Sequence, residues 1–266
     1  MKITDALKHA KNRLDSANLA NKLLCYHLKT SKEWIFLNSE AQLEDEQGFF
    51  DIVYRYENGE PFEYITGVCE FLNSEFYVGD GVLIPRFETE ILVQKSLEIA
   101  KKFDNPKICE IGVGSGIISI SLALRLKKAK FVASDISDLA LFWAKKNISK
   151  FDVDIELQHT SLLDGINGDF DILVSNPPYI KRDYKLDKWV LSEPSQALFG
   201  GKNGDEILKD IINLAKNRAK FLLCEIGYDQ KQSLSLELEK AGFSYVFYKD
   251  LAGFDRGFVA KNLNKS

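Results

Sequence analysis

The sequence predicts an α/β fold: a doubly wound, mostly parallel seven-stranded sheet with a terminal antiparallel strand pair, plus a small N-terminal helical domain. Three observations carry that expectation. From Pro106 onward, short β-rich segments alternate with amphipathic ones, the pattern of a parallel sheet with helices on both faces. Phe170-Asp171-Ile172-Leu173-Val174 is almost continuously apolar, as suits a strand covered on both sides. Residues 3–67 instead show the three- and four-residue apolar spacing of helices.

The elements follow in order. Ile3, Ala6, Leu7, Ala10, Leu14 and Ala17 share one helical face. Ser31 can cap a short helix bearing Trp34, Ile35 and Leu37. Residues 43–56 supply another, with Phe49, Phe50, Ile52, Val53 and Tyr56 as its buried side. Pro61 suits the first turn of a helix carrying Phe62, Tyr64 and Ile65, and Gly67 ends the helical part. Residues 68–71 and 75–78 flank Asn73-Ser74 as a hairpin. Gly79, Gly81 and Pro85 then punctuate the chain. This gives a helical domain over 1–67, a β-hairpin linker over 68–84 and the α/β domain over 85–266. In the last, strands are expected at 107–111, 131–134, 153–157, 170–175 and 221–226, and helices at 116–126, 139–148, 205–215 and 230–241. Segments 243–248 and 257–261 have no helix between them and form the antiparallel pair.

Composition narrows the function. The 266 residues are 45% hydrophobic and 28% charged, the balance of a globular protein. Cys25, Cys69, Cys109 and Cys224 lie far apart, as do His9, His27 and His159, which argues against a metal site and leaves the thiols as small core residues. No Ser/His/Asp or Cys/His nucleophile set is evident. No apolar run approaches the roughly 18–20 residues of a membrane span, and Met1-Lys2-Ile3-Thr4-Asp5 lacks a signal-peptide core. The expected location is the cytoplasm, with no membrane partner. Residues 1–80 carry 8 Lys and Arg against 14 Asp and Glu, and the remainder 27 against 25. Gripping nucleic acid calls for basic surface, so the acidic N-terminal third favours a protein or small-molecule substrate, with no direct nucleic-acid partner.

Three loops carry the chemistry. Gly112-Val113-Gly114-Ser115-Gly116 follows the first α/β strand and opens a helix. Its glycines allow a tight turn and let N–H groups at the helix start approach a ligand. Ile117 stands where the dinucleotide fingerprint needs glycine, and no Gly-Lys-Ser/Thr follows. Alone, this loop also fits a structural turn. Asp135 directly follows the next strand, 131–134, and lies 19 positions beyond Gly116, where an acid accepts from both hydroxyls of a ribose. An Asp there could equally cap the helix opening near Asp138. Loop and acid together point to a ribose-bearing cofactor.

The third loop, Asn176-Pro177-Pro178-Tyr179, follows strand 170–175 on the same carboxyl edge. A planar amide or amino nitrogen is a poor nucleophile because its lone pair is delocalised. The Asn176 side-chain carbonyl and the Pro177 backbone carbonyl can accept the two N–H bonds of an –NH2 group and aim its nitrogen. The prolines fix φ, so the acceptors are held in advance, and Tyr179 offers a flat face to the planar group. Such a site positions rather than deprotonates.

With these residues in view, the chain resembles the class I S-adenosylmethionine-dependent methyltransferases, and more closely the HemK/PrmC family of protein-(glutamine-N5) methyltransferases. Besides the glycine loop, Asp135-Ile136-Ser137 and Asn176–Ile180, the likeness includes Gly59–Gly67, Leu83–Glu90, Glu193-Pro194 with Ala197-Leu198 and Gly204, and Lys249–Gly253 with Asp255-Arg256. The resemblance implies that Gly112, Val113, Gly114, Ser115 and Gly116 lie along the methionine part of S-adenosylmethionine and that Asp135 holds its ribose, with S-adenosylhomocysteine as product. It implies that Asn176, Pro177, Pro178 and Tyr179 hold the glutamine amide of a Gly-Gly-Gln motif in a peptide chain release factor. The helical domain would then grip that partner. Thr160-Ser161-Leu162 departs from the family's acid and bulky aromatic, leaving Leu162 an apolar contact for adenine. Arg86 and Glu193 fit a functional role and a loop-supporting ion pair equally. Two alternatives stay open: glutamine methylation of a ribosomal protein, and amino-group methylation of adenine or guanine, for which the base must be extruded.

Overall fold

The computed structural model describes residues 1–265. The chain divides into two compact units, Met1–Gly67 with Asp187–Ser192, and Val68–Leu186 with the residues from Glu193 onward. The first unit contains α1 (Ile3–Leu14), α2 (Ala17–Leu28), α3 (Lys32–Leu37), α4 (Glu46–Glu57) and α5 (Phe62–Thr66). The apolar face read continuously from Ile3 to Ala17 is in fact two helices. Asp15 takes a left-handed φ of 50°, and Ser16 Oγ caps α2 by accepting the Leu19 N–H at 3.2 Å. Ser31 caps α3 as expected, accepting from Trp34 N, yet of its apolar residues only Ile35 is buried while Trp34 and Leu37 are exposed. A six-residue helix has one side to give to a core, here shared with Ile3, Leu23, Leu24, Phe49 and Val53.

The second unit starts with β1 (Val68–Phe71), β2 (Ser74–Tyr77), α6 (Thr89–Ala100), β3 (Lys107–Ile111), α7 (Ile117–Ala123), β4 (Lys130–Asp135), α8 (Asp138–Phe151), β5 (Glu156–His159), β6 (Phe170–Ser175) and β7 (Ile180–Lys181). After α9 (Lys188–Leu191), a single turn grouped with the first unit, come α10 (Ser195–Leu198), β8 (Phe199–Gly201), α11 (Glu206–Arg218), β9 (Ala219–Glu225), α12 (Lys231–Ala241), β10 (Phe243–Lys249) and β11 (Asp255–Asn262). The main sheet has the order β10-β11-β9-β6-β3-β4-β5. It is parallel except for β11, which runs antiparallel to both its neighbours. This is the expected seven-stranded architecture. Period-two alternation splits its core. Ile108, Ile172, Val174 and Leu223 face one layer, while Cys109, Leu173, Leu222 and Cys224 face the α11 and α12 side. The chain leaves β3 towards β4 and β5, then returns to β6 on the other side. Open α/β sheets bind ligands at such a switch point.

Several expectations need correction. The hairpin turn is Leu72-Asn73, with φ of 48° and 59°, one residue earlier than Asn73-Ser74, and Ser74 pairs with Phe71. A two-residue primed turn matches the strand twist. Residues 68–84 belong to the second unit: Phe71 and Phe76 are in its core. The α6 helix was not expected, because its buried face includes Thr89 and Ser96, which blunts the apolar periodicity. The third strand begins at Glu156 rather than 153, since the chain first turns at Asp152, φ 50°, to end α8. No helix among the described residues is long and apolar enough to cross a membrane.

Candidate active site

A cleft of about 270 Å³ opens at the carboxyl ends of β3, β4 and β6. Gly112, Gly114, Asp135, Leu162, Asn176, Pro177 and Pro178 all line it. Val113 and Ser115 border a smaller recess that shares Gly112, Gly114 and Asn176. Gly116 and Tyr179 line neither. Three segments far apart in sequence thus converge on one edge of the sheet.

The glycine loop owes its shape to internal bonds. Gly112 and Gly114 have φ of 75° and 53°, where a side chain is strained. A Cβ on Gly112 would meet nothing within 4 Å, and one on Gly114 only Val82 at 3.9 Å, so both present bare backbone to open space. Gly116 differs, for its Cβ would press on Ile120 at 2.9 Å, a packing constraint. The N–H groups of Gly112 and Val113 both donate to Ser134 O at 2.9 Å, and Gly116 N donates to Val113 O. Gly114 N donates to Asp135 Oδ2 at 3.0 Å. Through the amides of Gly112, Val113 and Gly114 the loop folds over the end of β4 and bonds to it, offering the cleft its Cα edge at Gly112 and Gly114.

Asp135 uses its second oxygen to accept the Ser137 N–H at 3.0 Å, and Ser137 Oγ rather than Asp135 caps α8. Leu162 sits in the left-handed region at φ 50°, with its carbonyl accepting the Ser134 hydroxyl at 2.6 Å.

Asn176 Nδ2 donates to Thr89 Oγ1 at 3.2 Å, while its Oδ1 is fully buried and has no partner. Thr89 in turn donates to Glu225 Oε2 at 2.7 Å. The Tyr179 hydroxyl donates to Glu225 Oε1 at 2.9 Å, which corrects its expected place as a flat wall of the cleft. Its ring packs with the α11 and α12 side of the core. Burial pushes the Glu225 carboxyl up, against the pull of Thr89, Tyr179 and Arg256. Burial and the adjacent carboxylate hold the Tyr179 phenol well above its ordinary value. Thr89 and Glu225 were missed in the sequence; Thr89 lies within a quoted segment, but no local spacing marks Glu225.

Other groups shape the walls. Arg86 Nη2 pairs with Glu193 Oε1, Glu193 Oε2 accepts the Ile84 N–H at 2.8 Å, and Arg86 Nη1 donates to Ile84 O at 2.6 Å. These contacts tie the 84–86 strap together and favour the loop-supporting role. Asn147, fully buried, accepts from Tyr77 N at 2.7 Å and donates to Tyr77 O and Ser115 O. Behind the loop, Glu110 accepts from Ser119 N and Ser119 Oγ, and burial pushes its carboxyl up to about 8. Burial also raises the Cys109 and Cys224 thiols, Cys109 to about 12, so neither is a ready nucleophile. Among the described residues no three His, Cys, Asp or Glu side chains gather as a metal site.

Comparison with known proteins identifies the family of the chain. A release factor glutamine methyltransferase of Clostridium botulinum is 36% identical over 257 residues, which cover 91% of this chain and 90% of that relative. The chain belongs to the release factor glutamine methyltransferase family. A family member from Clostridium acetobutylicum is 35% identical with 98% of both chains covered. The profile described as Methyltransferase small domain matches residues 87–195, and that described as PrmC N-terminal domain matches residues 5–67. Among solved structures, a ribosomal protein L11 methylase from Lactobacillus delbrueckii subsp. bulgaricus aligns with a TM-score of 0.53 at 24% identity, over 70% of this chain and 83% of that one. That likeness concerns the fold of the family's methyltransferase part.

Proposed function

We propose that this protein transfers a methyl group from S-adenosylmethionine to the side-chain amide nitrogen of the glutamine in the Gly-Gly-Gln motif of a peptide chain release factor. The observation that carries the reading is the buried, unpartnered Oδ1 of Asn176, in a residue that lines both the cleft and the recess beside the glycine loop. An acceptor left unpaired in the interior is costly, and an incoming N–H group satisfies it. The relatives' names supply the substrate.

The residues fit the cofactor. The bare Cα edge at Gly112 and Gly114 leaves space that a Cβ would fill. Each Asp135 oxygen accepts one backbone N–H and keeps a lone pair for a ribose hydroxyl. Leu162 and Val82 give the cleft apolar wall for adenine. S-adenosylmethionine, when bound, supplies a methyl carbon already activated by a sulfonium, which needs neither metal nor acid. The chain's own part is to hold and aim the amide. Asn176 Oδ1 and the Pro177 carbonyl accept its two N–H bonds, between prolines whose φ is fixed, so the nitrogen is oriented before it reacts. A proton on that nitrogen becomes acidic only once the nitrogen carries the new carbon, and it leaves to solvent without a dedicated base. The helices of the first unit are proposed to grip the protein partner.

The test is incubation with labelled S-adenosylmethionine and, in separate reactions, release factor, ribosomes and RNA. Label is expected on the glutamine of the release factor. Label on ribosomal protein or on RNA, with none on release factor, rejects the substrate.

A further inference from the structure

The Asn176 carboxamide has two chemically different ends, and only one serves a site that receives an –NH2 group. We infer that Thr89 and Glu225 are positioning residues that fix the polarity of the Asn176 carboxamide, so that its oxygen and not its NH2 meets the guest. The inference rests on the reading of Asn176 given above, and it adds two residues that act through Asn176.

Glu225 is buried at the end of β9, and both of its oxygens accept, one from Thr89 and one from Tyr179. A threonine hydroxyl has a single hydrogen. With that hydrogen given to Glu225, Thr89 Oγ1 can only accept from Asn176. It does so from Nδ2, which leaves Oδ1 as the free end. Were the carboxamide turned over, oxygen would face the lone pairs of Thr89 and the NH2 would face the NH2 of the guest, so two contacts would fail together. Thr89 is wholly buried, so no exposure to bulk solvent offers its hydroxyl another partner. The same carboxylate holds Tyr179, so one group from β9 pins both ends of the Asn176–Tyr179 loop. An oxygen-forward Asn176 welcomes an amide and repels a carboxylate, which makes Thr89 and Glu225 determinants of glutamine over glutamate.

The test compares the wild type with Thr89→Val, a near-isostere without the hydroxyl, and Thr89→Ser, which keeps it. With both substrates saturating, Thr89→Val is expected to lower kcat by about ten-fold or more. Its KM for release factor and its affinity for S-adenosylmethionine should stay within about two-fold of wild type, and Thr89→Ser should recover most of the rate. If Thr89→Val does not fold, Thr89→Ala serves in its place with the same expectation. A kcat for Thr89→Val near that of wild type overturns the inference. So does a Thr89→Ser variant as slow as Thr89→Val, because packing rather than the hydroxyl would then matter. A wild type that leaves release factor unlabelled rejects the proposed substrate instead, and the same three proteins are then compared on whichever ribosomal protein or RNA amino group it does label.

Discussion

Asp135 divides its carboxylate between Gly114 and Ser137, so its loss would loosen the loop and, with it, remove the proposed ribose partner. Hydrogen bonds to charged groups contribute about 1.5–3 kcal/mol, and Asp135→Ala is expected to weaken S-adenosylmethionine binding roughly ten- to hundred-fold by calorimetry. Asn176→Ala should behave in the opposite way, abolishing transfer while cofactor affinity changes little. Parallel losses of affinity and rate would remove Asn176 from the acceptor role. Glu110 allows a test by pH. Its carboxyl holds its proton to about 8 in the folded chain but releases it near 4.5 when unfolded. Between these values the native state binds the extra proton, so stability falls as pH rises. Thermal melts from pH 4.5 to 8 should therefore show wild type losing ground to Glu110→Gln, and parallel curves would refute the shift. Asp135 and Asn176 were legible because each stands at the end of an apolar strand pattern, Asp135 as the last residue of β4 and Asn176 directly after β6. Thr89 and Glu225 were not. Their hydrogen bond joins residues 136 positions apart, and only the assembled sheet brings them together.

Among the elements, α8 does more than cover the sheet. Through Asn147 it holds the Tyr77 backbone of β2 like an added strand and reaches Ser115 in the glycine loop. Asn147→Ala would strand three backbone groups in the interior, at a cost of about 2–4 kcal/mol in unfolding free energy. Urea titration should show that loss together with weaker cofactor binding; an unchanged midpoint would mean that water replaces the amide. The strands flanking the cleft were readable from sequence, since β3 and β6 are short apolar runs stopped by glycine and by Asn-Pro. Helix α6 was not, because Thr89 and Ser96 occupy its buried face. Ser96 satisfies its own hydroxyl by donating to Leu92 O at 2.8 Å, a local remedy that hydropathy spacing cannot register. The hairpin turn slipped by one residue because Leu72, a poor candidate for positive φ, adopts it beside Asn73.

For the molecule as a whole, sheet order puts the cleft at the switch point between β3 and β6; the alternation from Pro106 onward was enough to anticipate a parallel sheet, but not its strand order. The role of the first unit rests on resemblance, and it has a direct measure. On addition of release factor, amide hydrogen exchange within Ile3–Thr66 is expected to slow in the full-length protein, whereas addition of S-adenosylmethionine alone should leave those helices as they were. Exchange there indifferent to release factor would assign the grip elsewhere. The glycine loop, for its part, is stitched to β4 by its own amides, so it holds its form whether or not anything rests against it. Turnover then needs no melting and re-formation of that edge, and spent nucleoside can depart over a surface already set for its successor.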